Sequence, residues 1–575
     1  LPKLLPDVTT MAAGGLGLLL GPDTRQSIGL MFQRLADRHP DRPFLKFEGA
    51  KWSYAEANAQ ANRYAHALAA RGIGRGDAVG VLMQNRPETL LLVLGIVKLG
   101  ATAGLLNHNQ RGDVLAHSIG LLETSVLVVG AEDGEAGKSG KSSEALNSLA
   151  QRPSGVVDCA DLSSDDTTDP EVCAQVTGHD RAYLIFTSGT TGLPKASVMT
   201  HYRWLKGMSG FGRLGARLHP GDTLYCCLPL YHNNAVTVAL SAVLGGGATF
   251  ALGAKFSASR FWDEVRAADA TAFIYIGELC RYLLNRPESP RDRDNHVNMM
   301  IGNGLRAEIW DEFKSRFGVQ RVVEFYGASE GNIAFINVLN AEGTAGICPL
   351  PHAVVEYDED SGAPRRGADG RLRRVPRGEV GLLLAKVTAR TPFDGYTDDE
   401  ASERKLVRAA FDDGDVWFDT GDLVRRQGWW HVAFVDRLGD TFRWKGENVA
   451  TTEVEGAFAG TTEVEHAVVY GVDVPGTDGK AGMAAITLRD GALFDGAAVA
   501  RVLYAALPAY AVPLFVRVVD ELEQTSTFKS KKVDLRKEGF SDGAGQRYVL
   551  AGRADGYVEF YDDYVDEVAA GKRPE

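Results

Sequence analysis

Between residues 78 and 130, short apolar runs with β propensity alternate with longer segments of helical periodicity. This alternation predicts three strands separated by two helices, in the order Ala78–Met83, Pro87–Leu99, Ala101–Leu106, Arg111–Leu122 and Ser125–Gly130. Strands that are apolar throughout must be covered on both faces, which favours a mainly parallel sheet packed between helices. The same alternation returns between residues 181 and 326, so we expect an α/β fold for most of the chain.

The pattern changes twice in the second half of the chain, and both changes suggest boundaries. Strands predominate from residue 353 to 434, and a separate small βα pattern begins after Asp436. We therefore predict a large domain over 1–436, made of mainly parallel sheets covered by helices plus a β-rich subdomain. A small, mobile α+β domain is predicted over 437–575. Residues 131–180 are rich in Gly, Ser, Asp and Glu and are predicted to form a long, partly ordered connection.

Charge and cysteine content narrow the class of protein and its compartment. The formal net charge is -13, which argues against a nucleic-acid partner. The six cysteines include no C-x-x-C pair, so neither a zinc site nor a disulfide framework is predicted, as expected of a cytoplasmic protein. The apolar run Met11–Leu20 is shorter than the ~20 residues that span a bilayer. It could lie peripherally on the inner face of the cell membrane. The sequence indicates no oligomeric state.

The stretch Tyr183–Lys195 carries the strongest chemical signal in the sequence. It begins as an apolar strand, becomes a loop of glycines and hydroxyl residues, and closes with a lysine. Glycines allow backbone N–H groups to converge on a phosphate, and the hydroxyls and the lysine add donors and a charge. It is not a Walker loop, because Leu193 and Pro194 separate Gly192 from Lys195. A surface turn would be the simpler interpretation of a generic loop of this composition.

Further short motifs follow in order: Leu228–Asn234, Tyr275–Leu279, Gly302–Arg306, Phe325–Asn332, Asp419–Asp422, Asp436–Asp440 and Thr525–Lys529. Taken singly, several have plain structural explanations. His232 could be a core or capping residue, Gly277 could mark a strand-to-helix turn, and 419–422 could be a β-turn. The lysine-rich run 529–532 could be a solvated face. A chance origin does not account for the whole series in this order.

In content and order, the motifs resemble those of the acyl-adenylate-forming superfamily, which includes acyl-CoA synthetases, luciferases and peptide-synthetase adenylation domains. The resemblance implies that ATP is bound with Mg²⁺ and that a carboxylate is activated as an acyl-adenylate. It assigns the nucleotide to Thr187, Ser188, Gly189, Thr190, Thr191, Lys195, Gly302, Asn303, Gly304, Tyr326, Gly327, Ser329, Asp422, Arg437 and Lys445. Among these, Tyr326 would stack on adenine, Ser329 would contact the α-phosphate and Asp422 would hold the ribose hydroxyls.

The resemblance also implies catalytic and metal-binding roles. Glu330, with Thr187, would hold Mg²⁺, and His232 would border and gate the acyl pocket. Lys529 would bridge the carboxylate and the α-phosphate, with Lys531 and Lys532 as alternatives. Gly277 could leave room for an acyl chain. The small domain would turn about Gly439, so that Lys529 withdraws after adenylation and coenzyme A reaches the acyl-adenylate.

Several longer strings resemble one branch of the superfamily, the fatty-acid transport proteins or very-long-chain acyl-CoA synthetases, and especially the mycobacterial long-chain fatty-acid–CoA ligases. They include Phe325–Asn332, Asp440–Val449 and Thr527–Lys529. The expected function is therefore that of an ATP-dependent long-chain or very-long-chain fatty acid–CoA ligase. The alternatives are a bile-acid–CoA ligase, an acyl-AMP ligase serving a carrier protein, and a fatty-acid uptake or binding protein at the membrane.

Overall fold

The computed structural model describes residues 4–133, 141–147, 149, 153–188, 194–358, 362–444, 447–477, 479–522, 532–541 and 543–574. The chain divides into two compact units. The first contains Leu1–Pro351, Ala385–Arg408 and Gly414–Phe418, and the second contains His352–Leu384, Ala409–Asp413 and Asp419–Glu575. The two units group residues that pack against each other and carry no information on domain motion. The boundary expected between residues 436 and 437, where a mobile domain would begin, therefore stays a prediction.

One sheet of the first unit has six strands. Their order is Gly155–Asp158, Val126–Val129, Ala78–Leu82, Thr102–Leu105, Arg181–Ser188 and Pro194–Thr200. Neighbouring strands are parallel except for the last pair, which is antiparallel. In that pair Thr187 lies opposite Lys195 and Ser188 opposite Pro194, so these four residues close the loop that was predicted to bind phosphate.

A second sheet of the first unit places several motifs at neighbouring strand ends. Its order is Gly346–Ile347, Phe335–Ile336, Arg321–Tyr326, Met299–Asn303, Ala272–Ile276, Thr223–Cys226, Thr249–Leu252, Pro43–Phe47 and Ala50–Ser53. The strands from Arg321–Tyr326 to Pro43–Phe47 are parallel, and antiparallel pairs lie at both ends of this series. Because parallel strands end at one edge of a sheet, the residues that follow them lie along that edge.

The helices of the first unit are Leu4–Gly17, Ile28–Arg38, Tyr54–Ala69, Pro87–Lys98, Gly112–Gly120, Lys141–Asn147, His201–Gly207, Leu240–Gly246, Phe261–Ala267, Gly277–Leu284, Ala307–Phe317 and Asp399–Glu403. Met208–Ala216 and Asn234–Ala239 are π-helical, and short 3₁₀ turns lie at Ala131–Asp133, Cys159–Asp161 and Glu171–Gln175. The sequence Ser53-x-x-Glu56 forms a capping box, since the N–H of Glu56 donates to Ser53 Oγ and the N–H of Ser53 donates to Glu56 Oε2.

The second unit contains a β-rich part and a C-terminal α+β part. The strands of the β-rich part include His352–Val355, Val380–Lys386, Val416–Gly428 and His431–Arg437, and Leu406–Arg408 pairs with the first-unit end of Val416–Gly428. The C-terminal part has a strand pair, Phe442–Trp444 with Glu447–Val449, and a five-stranded sheet. The sheet order is Val464–Asp473, Lys480–Leu488, Phe515–Val518, Gln546–Gly552 and Gly556–Glu559. The accompanying helices are Thr451–Phe458, Gly496–Ala506, the 3₁₀ turn Ala509–Ala511, Lys532–Glu538 and Tyr564–Ala569.

The α/β architecture with a β-rich part and a small C-terminal α+β part confirms the fold expected from the sequence. One local expectation was wrong. Residues 131–180 are not only a connection, because Gly155–Asp158 extends the six-stranded sheet by pairing in parallel with Val126–Val129. Two valines within a polar segment gave too short a signal to predict this edge strand. In the part of the chain that the structure describes, no helix is both long enough and apolar enough to cross a membrane.

Candidate active site

Tyr396 contacts two of the predicted site residues in the first unit. Its hydroxyl donates a hydrogen bond to Glu330 Oε1 at 3.0 Å, and Lys195 Nζ lies 5.3 Å from the centre of its ring. The segment around Tyr396 pairs with the strand Pro194–Thr200, because Thr397 N–H donates to Ala196 O at 3.1 Å. The lysine that closes the phosphate loop and the acid expected to hold magnesium are thus placed by one aromatic side chain.

Arg203 supports the loop that carries Ser329 and Glu330. Its guanidinium donates to the carbonyl of Ser329 at 2.7 Å and also to the carbonyl of Gly331. Burial lowers the pKa of Arg203, and the carboxylates of Asp394 and Glu330 oppose that effect. An arginine in such a setting keeps its charge. It therefore fixes the loop and adds positive potential where phosphate would lie.

Glu324 is a buried acid that the sequence did not single out. Its Oε1 accepts a hydrogen bond from Gly304 N–H at 2.6 Å, and its Oε2 accepts from the Tyr275 hydroxyl and from Leu305 N–H at 3.4 Å. Burial raises the pKa of Glu324 to about 8, although these hydrogen bonds act in the opposite direction. Glu324 therefore holds the turn predicted to face adenine, and it joins the ends of three neighbouring strands.

The glycines at these strand ends are explained by close packing of the backbone. A Cβ on Gly277 would lie 1.7 Å from the carbonyl oxygen of Gly304, and a Cβ on Gly302 would lie 2.2 Å from the carbonyl oxygen of Tyr275. Gly304 itself has a φ of +82°, which favours glycine. The space beside Gly277 is therefore filled by protein backbone, and the suggestion that this glycine leaves room for an acyl chain was wrong.

The motif Leu228–Asn234 is held in place by side-chain amides. Asn85, which is buried, donates to the carbonyl of Leu228 at 2.9 Å and accepts from Leu230 N–H at 2.8 Å. Asn234 Nδ2 donates to Asn303 Oδ1 at 2.9 Å, so this loop is linked directly to the predicted adenine turn. His232 is half-buried, with its ring 4.5 Å from the ring of Tyr231.

Two predicted nucleotide contacts of the second unit are neighbours. Asp422 and Arg437 lie opposite each other on the paired strands Val416–Gly428 and His431–Arg437, with 3.7 Å between Arg437 Nε and Asp422 Oδ1. Asp422 is buried, whereas the Arg437 side chain is more than half exposed. A buried carboxylate beside an exposed cation is suited to accept the two hydroxyls of a ribose.

A polar cluster surrounds Asp436, the residue before Arg437. The Asp436 carboxylate accepts hydrogen bonds from the N–H and hydroxyl of Thr451, at the start of the helix Thr451–Phe458. Lys532 Nζ donates to the Thr451 hydroxyl at 2.6 Å and lies 3.0 Å from Glu455 Oε1. Lys532, one alternative for the catalytic lysine, therefore already has an anionic partner and a structural role.

Some of the predicted residues cannot be placed. Gly189, Thr190, Thr191, Lys445, Lys529 and Lys531 lie outside the described residues, as do the side chains of Thr187 and Ser188. Tyr326 and Gly327 follow each other at the end of a strand, and the Tyr326 ring lies 6.1 Å from the ring of Phe335. The sequence missed Tyr396, Arg203, Glu324 and Asn85, which hold the predicted residues in place rather than forming motifs of their own.

The residues present fit a magnesium ion that is shared with a phosphate. In the described ranges, no three His, Cys, Asp or Glu side chains are grouped as a metal site. Mg²⁺ commonly takes one or two carboxylates from the protein and completes its shell with phosphate oxygens and water. The Glu330 carboxylate, placed by Tyr396 in the unit that carries Lys195, would supply such a ligand.

The fold matches solved structures of adenylate-forming enzymes. ATP-bound MatB from Rhodopseudomonas palustris has a TM-score of 0.71 and 25% identity, covering 90% of this chain and 99% of that one. The anthranilate CoA ligase AuaEII, solved with anthranoyl-AMP, has a TM-score of 0.73 at 19% identity, covering 89% of this chain and 97% of that one. The fold is therefore the one seen in these ATP-bound and acyl-AMP-bound enzymes.

Sequence comparison identifies the family. The model of the AMP-binding enzyme family matches residues 32–386, and that of the AMP-binding enzyme C-terminal domain matches residues 453–529. The medium/long-chain-fatty-acid–CoA ligase FadD6 of Mycobacterium tuberculosis is 56% identical, covering 100% of this chain and 96% of the relative. Long-chain fatty acid transport protein 2 of Rattus norvegicus is 41% identical, covering 89% of this chain and 85% of the relative. The chain belongs to the AMP-binding enzyme family, which confirms the resemblance seen in its motifs.

Proposed function

We propose that this protein is an ATP-dependent fatty acid–CoA ligase. It forms acyl-AMP and pyrophosphate from a fatty acid and ATP, and then acyl-CoA and AMP from the acyl-AMP and coenzyme A. The single observation that carries this proposal is the 56% identity, over the full chain, to a medium/long-chain-fatty-acid–CoA ligase. The contacts of Tyr396 with Lys195 and Glu330 support it, because they place a cation suited to phosphate and a carboxylate suited to Mg²⁺.

In the first half-reaction, the residues of the first unit bind and orient ATP. Lys195 and the loop 187–191 contact the phosphates, the turn Gly302–Gly304 with Tyr326 holds adenine, and Ser329 contacts the α-phosphate. Glu330, with Thr187, holds a magnesium ion, which when bound neutralises charge on the phosphates. Arg203 and Glu324 keep these loops in position through the hydrogen bonds described above.

The second unit carries further proposed contacts for the nucleotide. Asp422 accepts the ribose hydroxyls, Arg437 contacts ribose or phosphate, and Lys445 faces the nucleotide or coenzyme A. Lys529 is the proposed catalytic lysine, and Gly439 is the proposed hinge of a mobile domain over 437–575. A Cβ on Gly439 would meet nothing within 4 Å, so the glycine is not required by packing and is free to serve a change of backbone angles.

The proposed acyl substrate is a long-chain or very-long-chain fatty acid, and His232 borders its pocket. Each buried CH₂ group contributes about 0.8 kcal/mol, so an apolar tunnel selects for chain length. The test is steady-state kinetics of the purified enzyme with ATP, coenzyme A and a series of fatty acids, including a bile acid. We expect acyl-CoA formation with kcat/KM highest for long chains. A preference for the bile acid, acyl-AMP without acyl-CoA, or fatty-acid binding without pyrophosphate release would each favour the corresponding alternative.

Peripheral contact with the membrane is a separate part of the proposal. The helix Leu4–Gly17 and the residues after it expose apolar side chains, with Leu16 67% and Leu19 64% exposed. Exposed leucines on a short helix and just after its end can lie in the interface of a bilayer. Flotation with vesicles, with and without residues 1–25, tests this segment, and equal flotation of both forms would remove it from the proposal.

A further inference from the structure

A hairpin of the second unit carries two tryptophans at its tip. The strands Val416–Gly428 and His431–Arg437 are antiparallel, and Gly428 lies opposite His431, so Trp429 and Trp430 form the whole loop. Trp429 is 83% exposed and Trp430 is 70% exposed. Tryptophan is highly buried on average, because an exposed indole presents a large apolar surface to water. Two adjacent exposed tryptophans are therefore unusual.

The backbone of this turn does not explain why tryptophan stands there. Trp429 has a φ of +49° and Trp430 a φ of +59°. A two-residue loop with both φ angles positive is a type I′ turn, for which Asn-Gly is strongly preferred and bulky residues are outliers. Folding would therefore be better served by small residues, and strain kept at an exposed position points to a role in binding.

Arginines surround the base of the same hairpin. Arg377 Nε donates to the carbonyl of Gln427 at 2.8 Å, Arg425 donates to the carbonyl of Gly378 at 2.9 Å, and Arg426 donates to the carbonyl of Val375 at 2.7 Å. Arg377 is also close enough to Gly428 that a Cβ there would lie 2.6 Å from its Nε. One acidic neighbour of this group is Glu379, whose backbone carbonyl accepts a hydrogen bond from the N–H of Arg426.

We propose that the hairpin tip docks on the surface of an anionic lipid bilayer, with Trp429 and Trp430 in the interface and Arg377, Arg425 and Arg426 facing lipid phosphates. Indole rings favour the boundary between headgroups and acyl chains, and each nearby arginine adds attraction to an anionic surface. The charge complementarity favours a lipid surface over an apolar protein groove, since the tryptophans have a cationic rim.

The hairpin keeps the docking point away from the proposed nucleotide contacts. Arg437 lies at the opposite end of the strand His431–Arg437, which at about 3.3 Å per residue places the tip roughly 20 Å from it. Docking can therefore occur without displacing Asp422 or Arg437. Docking on a bilayer would help to supply the enzyme with a water-insoluble fatty acid, and this benefit rests on the proposed function. The binding of the hairpin to a bilayer does not depend on that function.

The experiment compares full-length variants in co-sedimentation with vesicles made of equal parts phosphatidylcholine and phosphatidylglycerol, and with vesicles of phosphatidylcholine alone. The key variant is Trp429→Asn with Trp430→Gly. We expect it to lose anionic-vesicle binding about tenfold while its melting temperature stays equal or rises, because it relieves the turn. The double variant to Phe should retain most of the binding. Leu493→Ala, which removes a side chain that is 86% exposed elsewhere in the second unit, is the matched control and should bind like the wild type.

Several outcomes would overturn the proposal. One is equal binding of the Asn-Gly variant and the wild type, and another is equal binding of the wild type to both kinds of vesicle. If the wild type bound neither kind of vesicle but self-associated through the tryptophans, the hairpin tip would dock on a second copy of the chain and not on a bilayer. Acyl-CoA formation from a water-soluble acid, measured without vesicles, should be the same in all variants. If the wild type itself formed no acyl-CoA in this assay, the result would count against the proposed function and not against the docking surface.

Discussion

The carboxylate of Asp436 accepts two hydrogen bonds from Thr451, one from the backbone N–H at 2.6 Å and one from the side-chain hydroxyl at 3.0 Å. Asp436 is the penultimate residue of the strand His431–Arg437, and Thr451 begins the helix Thr451–Phe458, whose N-cap residue, Ala450, makes no side-chain cap of its own. Asp436 thus serves as the missing cap, supplied from 15 residues earlier in the chain.

Replacing Asp436 with Ala should therefore destabilise the protein. The change leaves the Thr451 N–H without its acceptor and removes a negative charge near Lys532, so we expect a loss of about 1–3 kcal/mol in the free energy of unfolding. Denaturant unfolding would measure it. Asp440→Ala, which removes a partly exposed ion pair with Arg536, is the control and should cost about 1 kcal/mol or less. If the two variants lost equal free energy of unfolding, the hydrogen bonds from Thr451 to Asp436 would contribute no more to stability than a partly exposed ion pair.

Glu324 should make stability depend on pH in a defined direction. Its pKa is raised from 4.5 to about 8 by burial, so the folded state holds the proton over a range in which the unfolded state has released it. The stability contributed by protonated Glu324 is full below pH 4.5 and is lost as the pH rises towards 8. The loss is at most about 1.4 kcal/mol per pH unit.

Glu324→Gln removes this titration while keeping a similar shape and an acceptor for the Gly304 N–H. We expect the difference in unfolding free energy between wild type and variant to change steadily between pH 5 and pH 8. The wild type should become less stable relative to the variant as the pH rises. Denaturant unfolding at several pH values would measure it, and other titrating groups cancel in the difference. A constant difference would mean that Glu324 does not titrate in this range.

The local elements were predictable because their signals lie within a few residues. The helix Ile28–Arg38 follows its N-cap Ser27, and the capping box at Ser53 and Glu56 is read from four consecutive positions. The motifs were predictable for the same reason, since each is a short string. Only their order along the chain carried further information.

The supporting residues were not predictable, because their partners are distant in sequence. Tyr396 and Glu330 are 66 residues apart, and Arg203 reaches Ser329 across 126 residues. Glu324 stands in an apolar strand with nothing nearby to indicate that it accepts from Gly304, 20 residues earlier. Such contacts arise from the pairing of strands in the sheet, which periodicity does not specify.

Tyr396→Phe tests the link between Lys195 and Glu330. The variant keeps the ring near Lys195 but loses the hydrogen bond to Glu330, so we expect adenylation to slow about tenfold, with a weaker response to magnesium. Pyrophosphate release at varied magnesium concentration would measure it. Tyr548→Phe, which loses an exposed hydroxyl bonded to Gln546, should leave both quantities unchanged. An unaltered magnesium response in Tyr396→Phe would argue that Glu330 is not the metal ligand.

Substitutions of Lys529 and Lys532, in the lysine-rich run 529–532, should distinguish a catalytic role from a structural one. Lys532 Nζ contacts Glu455 and Thr451, so Lys532→Ala should lower the free energy of unfolding by about 1–3 kcal/mol and reduce both half-reactions only through stability. Lys529→Ala should leave stability almost unchanged and impair adenylation far more than thioester formation from supplied acyl-AMP. The two half-reactions, assayed separately at a temperature where both variants are folded, would measure this. If Lys532→Ala showed the selective loss of adenylation and Lys529→Ala did not, the catalytic role would move to Lys532, and its contacts with Glu455 and Thr451 would have to break during the reaction.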